Sequence, residues 1–313
     1  MLSRIADSLF WLNRYMERAD GMMRMASTYY ILSLDKGVNV NLTWRPLMET
    51  FMQAEEEEIV LIENDTAAVL KKLLLDTENH NSLKVIVTRA RENARGIQDL
   101  ITKEVWEQVN QMYHMVNQPA LQTKLAGYEA LEVINTFSRQ SVLYTGITDI
   151  TMPRGVGWNF MNLGKYVERC LQTIEMVDRE YEGIGYHLKD TKDILYWRNL
   201  LLSLSGYELH LKTYHTTNFN RNVLHQVLVN EDFTRSLLYS LSRIDKYLAE
   251  VIAENNSEEN RLLARSFGRL YSRVRYIEFD SLNNEVLKDF LNTVQDELQD
   301  FNTRLGQNFF SYS

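Results

Sequence analysis

The sequence predicts an all-α protein made of two tandem copies of one helical unit. Three observations carry this. Apolar residues recur at three- and four-residue spacing instead of alternating. Only three prolines and thirteen glycines punctuate 313 residues, so little interrupts that period. The stripe that opens the chain also returns, in register, 151 residues later.

The first element is a long helix from Leu2, with a stripe at Ile5, Leu9, Leu12, Met16, Ala19, Met23, Ala26 and Tyr30. Trp11, Tyr15, Met22, Met25 and Tyr29 lie round the same cylinder, so most of its circumference is apolar and it belongs in the core. Helical patterns follow over 44 to 54 and 66 to 75, then at Leu83, Val87, Ala90, Ala94, Ile97 and Ile101, then over 120 to 145. In the second half they cover 156 to 181, 190 to 214 and 233 to 252. The last two stripes run from Leu263 to Ile277 and from Leu287 to Leu305. Pro46 and Pro119 stand where a helix can begin. The acidic run Glu55 to Glu58 reads as a solvated helix end or loop. Together these make roughly ten to twelve helices.

Duplication explains the order of these elements. A shift of 151 residues lays the first stripe onto Val156, Phe160, Leu163, Val167, Cys170, Ile174, Val177 and Tyr181. It also lays Arg14, Tyr15, Glu17 and Arg18 onto Lys165, Tyr166, Glu168 and Arg169, which periodicity alone does not require. A shift of 153 pairs Trp44 and Arg45 with Trp197 and Arg198; one of 154 pairs Ser82, Leu83, Val87 and Arg89 with Ser236, Leu237, Leu241 and Arg243. The glycines and proline around Met152 and Pro153 mark the boundary, giving repeats at 1–152 and 153–313 within one globular unit. Two such copies are expected to pack about a pseudo-twofold axis.

Composition narrows the function classes. With 42 acidic against 34 basic residues the formal charge is −8, which opposes phosphate-driven nucleic-acid binding. The single cysteine, Cys170, can form neither an internal disulfide nor a thiolate metal site, as expected in a reducing compartment. Asp7, Arg14, Glu17 and Arg18 interrupt the first twenty residues, so no secretory signal or membrane span is expected there, and the reading is a cytoplasmic protein. The six histidines form neither His-Glu-x-x-His nor Glu-x-x-His, which leaves no zincin or di-iron pattern. Gly155-Val-Gly157 and Gly183-Ile-Gly185 follow no strand, and no glycine-rich Lys-Ser/Thr loop occurs, so no cofactor or nucleotide site is expected. Cys170, on a core stripe, reads as structural.

The chemistry-bearing candidates are charged. Neighbours on a helix point about 100° apart, so Glu17 and Arg18 must each reach a different partner. If the Trp11 stripe is buried, Arg18 needs a carboxylate or an anion to offset its lost hydration. The duplication offers a symmetric arrangement, Arg18 with Glu168 and Arg169 with Glu17. On a structural reading these pairs specify how the two halves dock. On a functional reading Arg14, Glu17, Arg18, Trp158, Glu168 and Arg169, with Arg91 or Arg95, line a cleft. There arginine forks bind a carboxylate or phosphate, and Glu17 or Glu168 moves a proton. In Ala90-Arg91-Glu92-Asn93-Ala94-Arg95, Glu92 is placed to pair with Arg89 and Arg95 at three-residue spacing. Arg261, Arg265, Arg269 and Arg273 predict a basic surface strip, either plainly solvated or a docking face.

Leu2-Ser3-Arg4 through Glu17-Arg18-Ala19, the run Ala90 to Arg95, Met152-Pro153-Arg154 through Trp158 to Glu168-Arg169, and Asn230 to Ser236 resemble the bacterial alpha-E domain family over nearly the full chain. The sequence departs from its pattern at Cys170, where alanine is usual, and at Lys165, where arginine is common. The resemblance implies an all-helical duplicated fold marked by a Glu-Arg motif, acting in a peptide synthesis or modification system. Its expected partners are a circularly permuted ATP-grasp protein and a transglutaminase-like protein. Three functions stay open: a component holding the ligase or a peptide substrate, an enzyme acting on a peptide or amino-acid adduct through a Glu/Arg-lined cleft, or a helical adaptor or homodimer without ligand.

Overall fold

A computed structural model describes residues 2–34, 43–52, 54–189 and 192–310. Among them are fifteen α-helices, one short 3-10 turn at Gln98–Leu100 and no strand. No helix of the described residues is long and apolar enough to cross a membrane. The chain divides into two compact units, one formed by Trp11–Pro153 and the other by Met1–Phe10 with Arg154–Ser313. The first ten residues therefore belong with the later part of the chain.

The Trp11–Pro153 unit takes α1 (Ser3–Leu34) from Trp11 onward, then α2 (Arg45–Phe51), α3 (Glu56–Ile62), α4 (Thr66–Leu74), α5 (Leu83–Gly96), α6 (Lys103–Val116), α7 (Leu121–Ala126) and α8 (Ala130–Thr151). Side-chain oxygens of Asp65, Ser82 and Thr102 accept the backbone N–H three residues on and so start α4, α5 and α6. The acidic run forms the first turn of α3, where it complements the helix dipole. Glu56 there also bonds Arg45 at 2.8 Å, and Arg45 reaches Glu63 at 2.7 Å. α1 and α8 are antiparallel: the Tyr144 hydroxyl donates to Asn13 Oδ1 at 2.5 Å and the Ser27 hydroxyl to Asn135 Oδ1 at 3.1 Å.

The other unit holds α9 (Val156–Glu182), α10 (Ile194–Ser203), α11 (Tyr207–Thr213), α12 (Phe219–Val229), α13 (Leu237–Glu254), α14 (Glu258–Arg275) and α15 (Asn284–Phe309). α9 lies at its centre, with seventeen buried residues, and packs on α13 and α15. The start of the chain joins this core through Phe10, whose ring sits 5.0 Å from that of Phe310. A side chain at Gly164 would strike the Phe10 carbonyl oxygen and lie 2.9 Å from its carbonyl carbon, so only glycine permits this approach.

Seven helices differ from the sequence expectation. The stripe over 120 to 145 is cut at Gly127 into α7 and α8, and that over 190 to 214 is cut at Ser205 and Gly206 into α10 and α11. Ser205 has φ 57° and the Gly206 N–H returns to Leu201 O at 2.6 Å, a left-handed helix stop. α5 ends at Gly96, short of Ile101, and α6 and α12 are additional helices.

Candidate functional site

α1 and α9 carry the two Glu-Arg motifs at mid-helix, where no backbone group is free and only side chains can act. In the Trp11–Pro153 unit, Arg14 and Glu17 are both 4% exposed, and Arg18 is half-buried. The Arg14 guanidinium stands 4.6 Å from the Trp11 ring centre, and Trp11 in turn lies 5.2 Å from Tyr15. Arg18 Nη1 donates to Asn81 Oδ1 at 2.7 Å. Asn81 belongs to the turn that starts α5: its N–H is held by Asn79 Oδ1, and Ser82 next to it caps the helix.

Within the second unit, Glu168 is 3% and Arg169 8% exposed. Glu168 Oε1 accepts from Gln172 Nε2 at 3.2 Å, and Arg169 Nη1 donates to the Thr234 carbonyl at 3.2 Å. One turn on, the Thr173 hydroxyl donates to the Arg235 carbonyl at 3.2 Å. Thr234 and Arg235 lead directly into Ser236, which caps α13 by accepting the Tyr239 N–H at 3.1 Å. Each motif arginine thus grips the turn that launches a helix of its own unit, α5 in one and α13 in the other. A charge-assisted bond of this kind contributes about 1.5–3 kcal/mol.

An aromatic and cationic row surrounds Arg169. Its guanidinium is 5.2 Å from the Tyr166 ring, Tyr166 stacks on Tyr247 at 6.2 Å, and Arg243 donates to the Tyr239 hydroxyl at 3.0 Å. Burial pushes the Tyr166 hydroxyl up to about 12, against the pull of Arg169, so it is a neutral donor throughout the physiological range. Trp158 carries the Arg154 guanidinium over its ring at 3.7 Å. Cys170 is fully buried and its thiol is raised far above the ordinary range by burial, which removes the thiolate needed for nucleophilic chemistry.

The α5 run divides differently from its sequence reading. Arg91 turns inward, donating from Nε to Asn110 Oδ1 at 2.7 Å with its guanidinium 4.4 Å from the Tyr113 ring. Glu92 and Arg95 are exposed, and among the described residues neither they nor Arg89 form an ion pair, so the expected triad is not made. Exposed i,i+3 pairs contribute too little to hold long side chains in one geometry. On α14, Arg261 pairs with Glu258 and Arg273 with Glu297, while Arg265 and Arg269 are exposed. The strip is therefore a surface, as its spacing predicts. Sequence reasoning did not single out Asn81, Asn110, Tyr239 or Tyr247, and it met Thr234 and Arg243 only within aligned segments, not as site residues. The aligned cap residues Ser82 and Ser236 were the available signal, since the arginine partners Asn81 and Thr234 lie one and two residues before them.

Among the described residues no group of three histidine, cysteine, aspartate or glutamate side chains could hold a metal. A family described as a predicted alpha-helical domain with a conserved ER motif matches residues 1–310. No curated protein and no solved structure matches the chain.

Proposed function

The chain belongs to the Alpha-E family, and on that premise we propose that it serves a peptide synthesis or modification system as a component that binds no nucleotide. Its task is to hold an ATP-grasp ligase or that ligase's peptide substrate. One observation carries the choice of scaffold over enzyme: both motif arginines are engaged by the turns that start α5 and α13. That engagement suits groups that fix helix geometry, and buried charges of this kind commonly specify an arrangement. The same role played twice, by residues that the 151-residue shift aligns, also supports reading the chain as an internal duplication.

Co-expression with a circularly permuted ATP-grasp protein from the same organism tests the proposal. The expected outcome is a stoichiometric complex on size exclusion that survives replacement of Glu17 and Glu168 by glutamine. If the two proteins elute apart, or if the chain alone converts a peptide or an aminoacyl adduct and Glu168→Gln abolishes the turnover in a folded variant, the scaffold reading is wrong.

A further inference from the structure

A cleft of about 580 Å³ opens in the Trp11–Pro153 unit, lined by neither Glu17 nor Arg18, between the end of α4, the start of α5 and the α6 to α7 link. That volume is in the range of small-molecule sites. Its apolar wall is Ile62, Leu75, Val116 and Pro119, and its polar rim includes Lys71, Lys84, Gln118 and Gln122. A third amine, Lys72, is committed to Glu58 at 2.5 Å and Asp76 at 3.0 Å. Burial works against the Asp76 carboxylate, but the Lys72 ammonium and the Glu78 N–H outweigh it and lower its pKa, so Asp76 stays charged and bound to Lys72. Lys71 and Lys84 make no ion pair among the described residues, and the Gln118 and Gln122 amides have no hydrogen-bond partner there.

Helix stability accounts for one rim lysine and not the other. Lys71 lies in the last turn of α4, where a cation is favoured by the dipole. Lys84 is the second residue of α5, at the positive end, where a cation is disfavoured. An anion bound by Lys84 would offset that penalty. The apolar wall excludes a bare inorganic anion as the best fit, and the two glutamine amides match the donors and acceptors of a peptide bond.

We propose that this cleft binds an amphipathic carboxylate of the N-acyl amino acid class, such as the C-terminus of a short peptide, with Lys71 and Lys84 holding the carboxylate. The cleft shares no residue with the Glu-Arg motifs; the assignment deepens the peptide-holding arm of the proposed function, and its failure leaves the ligase-holding arm, tested by co-expression, untouched.

Calorimetric titration of the full chain with N-acetyl-Ala-Leu-Ala as free acid, as C-terminal amide, and with inorganic phosphate tests it. The free acid is expected to bind at least tenfold more tightly than the amide and than phosphate, and Lys71→Gln and Lys84→Gln each to weaken it about tenfold. Arg269→Gln, on the basic face of α14 in the other unit, is the control expected to leave binding unchanged. Without ligand, Lys84→Gln is expected to melt no lower than the parent, while losing the rise in Tm that the free acid gives the parent. Equal binding of acid and amide, binding of phosphate as strong as that of the acid, or acid binding that survives both lysine changes would overturn the assignment.

Discussion

Two residues with shifted pKa values pull the stability of the second unit in opposite directions. Burial pushes the Glu180 carboxyl up to about 7, with Arg179 opposing, so between the ordinary glutamate range near 4.3 and pH 7 the folded state binds more protons than the unfolded one. Its contribution therefore falls as pH rises across that window. Glu180→Gln is expected to leave stability at pH 4 nearly unchanged and to raise it by about 1–2 kcal/mol at pH 8, measured by urea unfolding. An equal gain at both pH values would show that Glu180 is not the titrating group. His210 acts with the other sign. Burial lowers its pKa, so its stabilising contribution is present above its ordinary pKa near 6.5 and is lost as pH falls from there through the lower pKa of the folded state. Its tautomer follows from its neighbours: Gln226 Nε2 donates to Gly206 O at 2.8 Å, which turns Gln226 Oε1 toward His210 Nδ1 at 2.7 Å. Nδ1 therefore carries the proton and Nε2 is a buried acceptor without a partner. Nitrogen-15 spectra should show that tautomer unchanged from pH 8 to 6; a mixture of tautomers, or titration near 6.5, would contradict the arrangement.

At the scale of whole elements, polar residues in the core decide what the sequence reveals. α1 and α9 are legible because their apolar stripes are broken only at the Glu-Arg motif, and broken at the same point. α6 and α12 are not, because each turns a hydrogen-bonded amide inward. Gln108 on α6 donates to Gln140 Oε1 at 2.8 Å and to its carbonyl at 3.0 Å. On α12 the wholly buried Asn220 accepts from Trp197 Nε1 and Lys192 N–H, each at 3.0 Å, and donates to the His187 carbonyl at 2.7 Å. Hydropathy counts such residues as exposed, whereas satisfied partners make their burial tolerable. Breaks at Gly127 and Ser205 were equally hidden, since a stop made by one extended residue, as at Gly127, or one left-handed residue, as at Ser205, leaves little trace in the apolar period. Asn220→Leu keeps the side-chain size but strands three partners, and is expected to cost about 2–4 kcal/mol in chemical denaturation. A loss below 1 kcal/mol would mean that water replaces the amide and that α12 is not organised around it.

Across the whole molecule, the candidate site was legible as residues but not as contacts. The Glu-Arg pairs, Arg14 and Trp158 are named by pattern alone, yet the groups that hold Arg18 and Arg169 belong to capping turns, where sequence pattern gives the helix start and not the side chain that reaches it. If each arginine secures the launch of one helix, its loss should be felt first at that helix. Native-state hydrogen exchange resolves this, because local opening exposes the first-turn amides of a helix at less cost than global unfolding. Arg18→Met is expected to speed exchange in the first turn of α5, and Arg169→Met in the first turn of α13, each by about tenfold or more, as follows from losing a charge-assisted bond of about 1.5–3 kcal/mol. Ser82→Ala and Ser236→Ala should produce the same local signatures through the caps themselves, by about 1 kcal/mol. Unchanged exchange in those turns, with the variants folded and the caps responding as expected, would detach the motif arginines from helix initiation. The buried acid and guanidinium groups would then need a ligand-directed role.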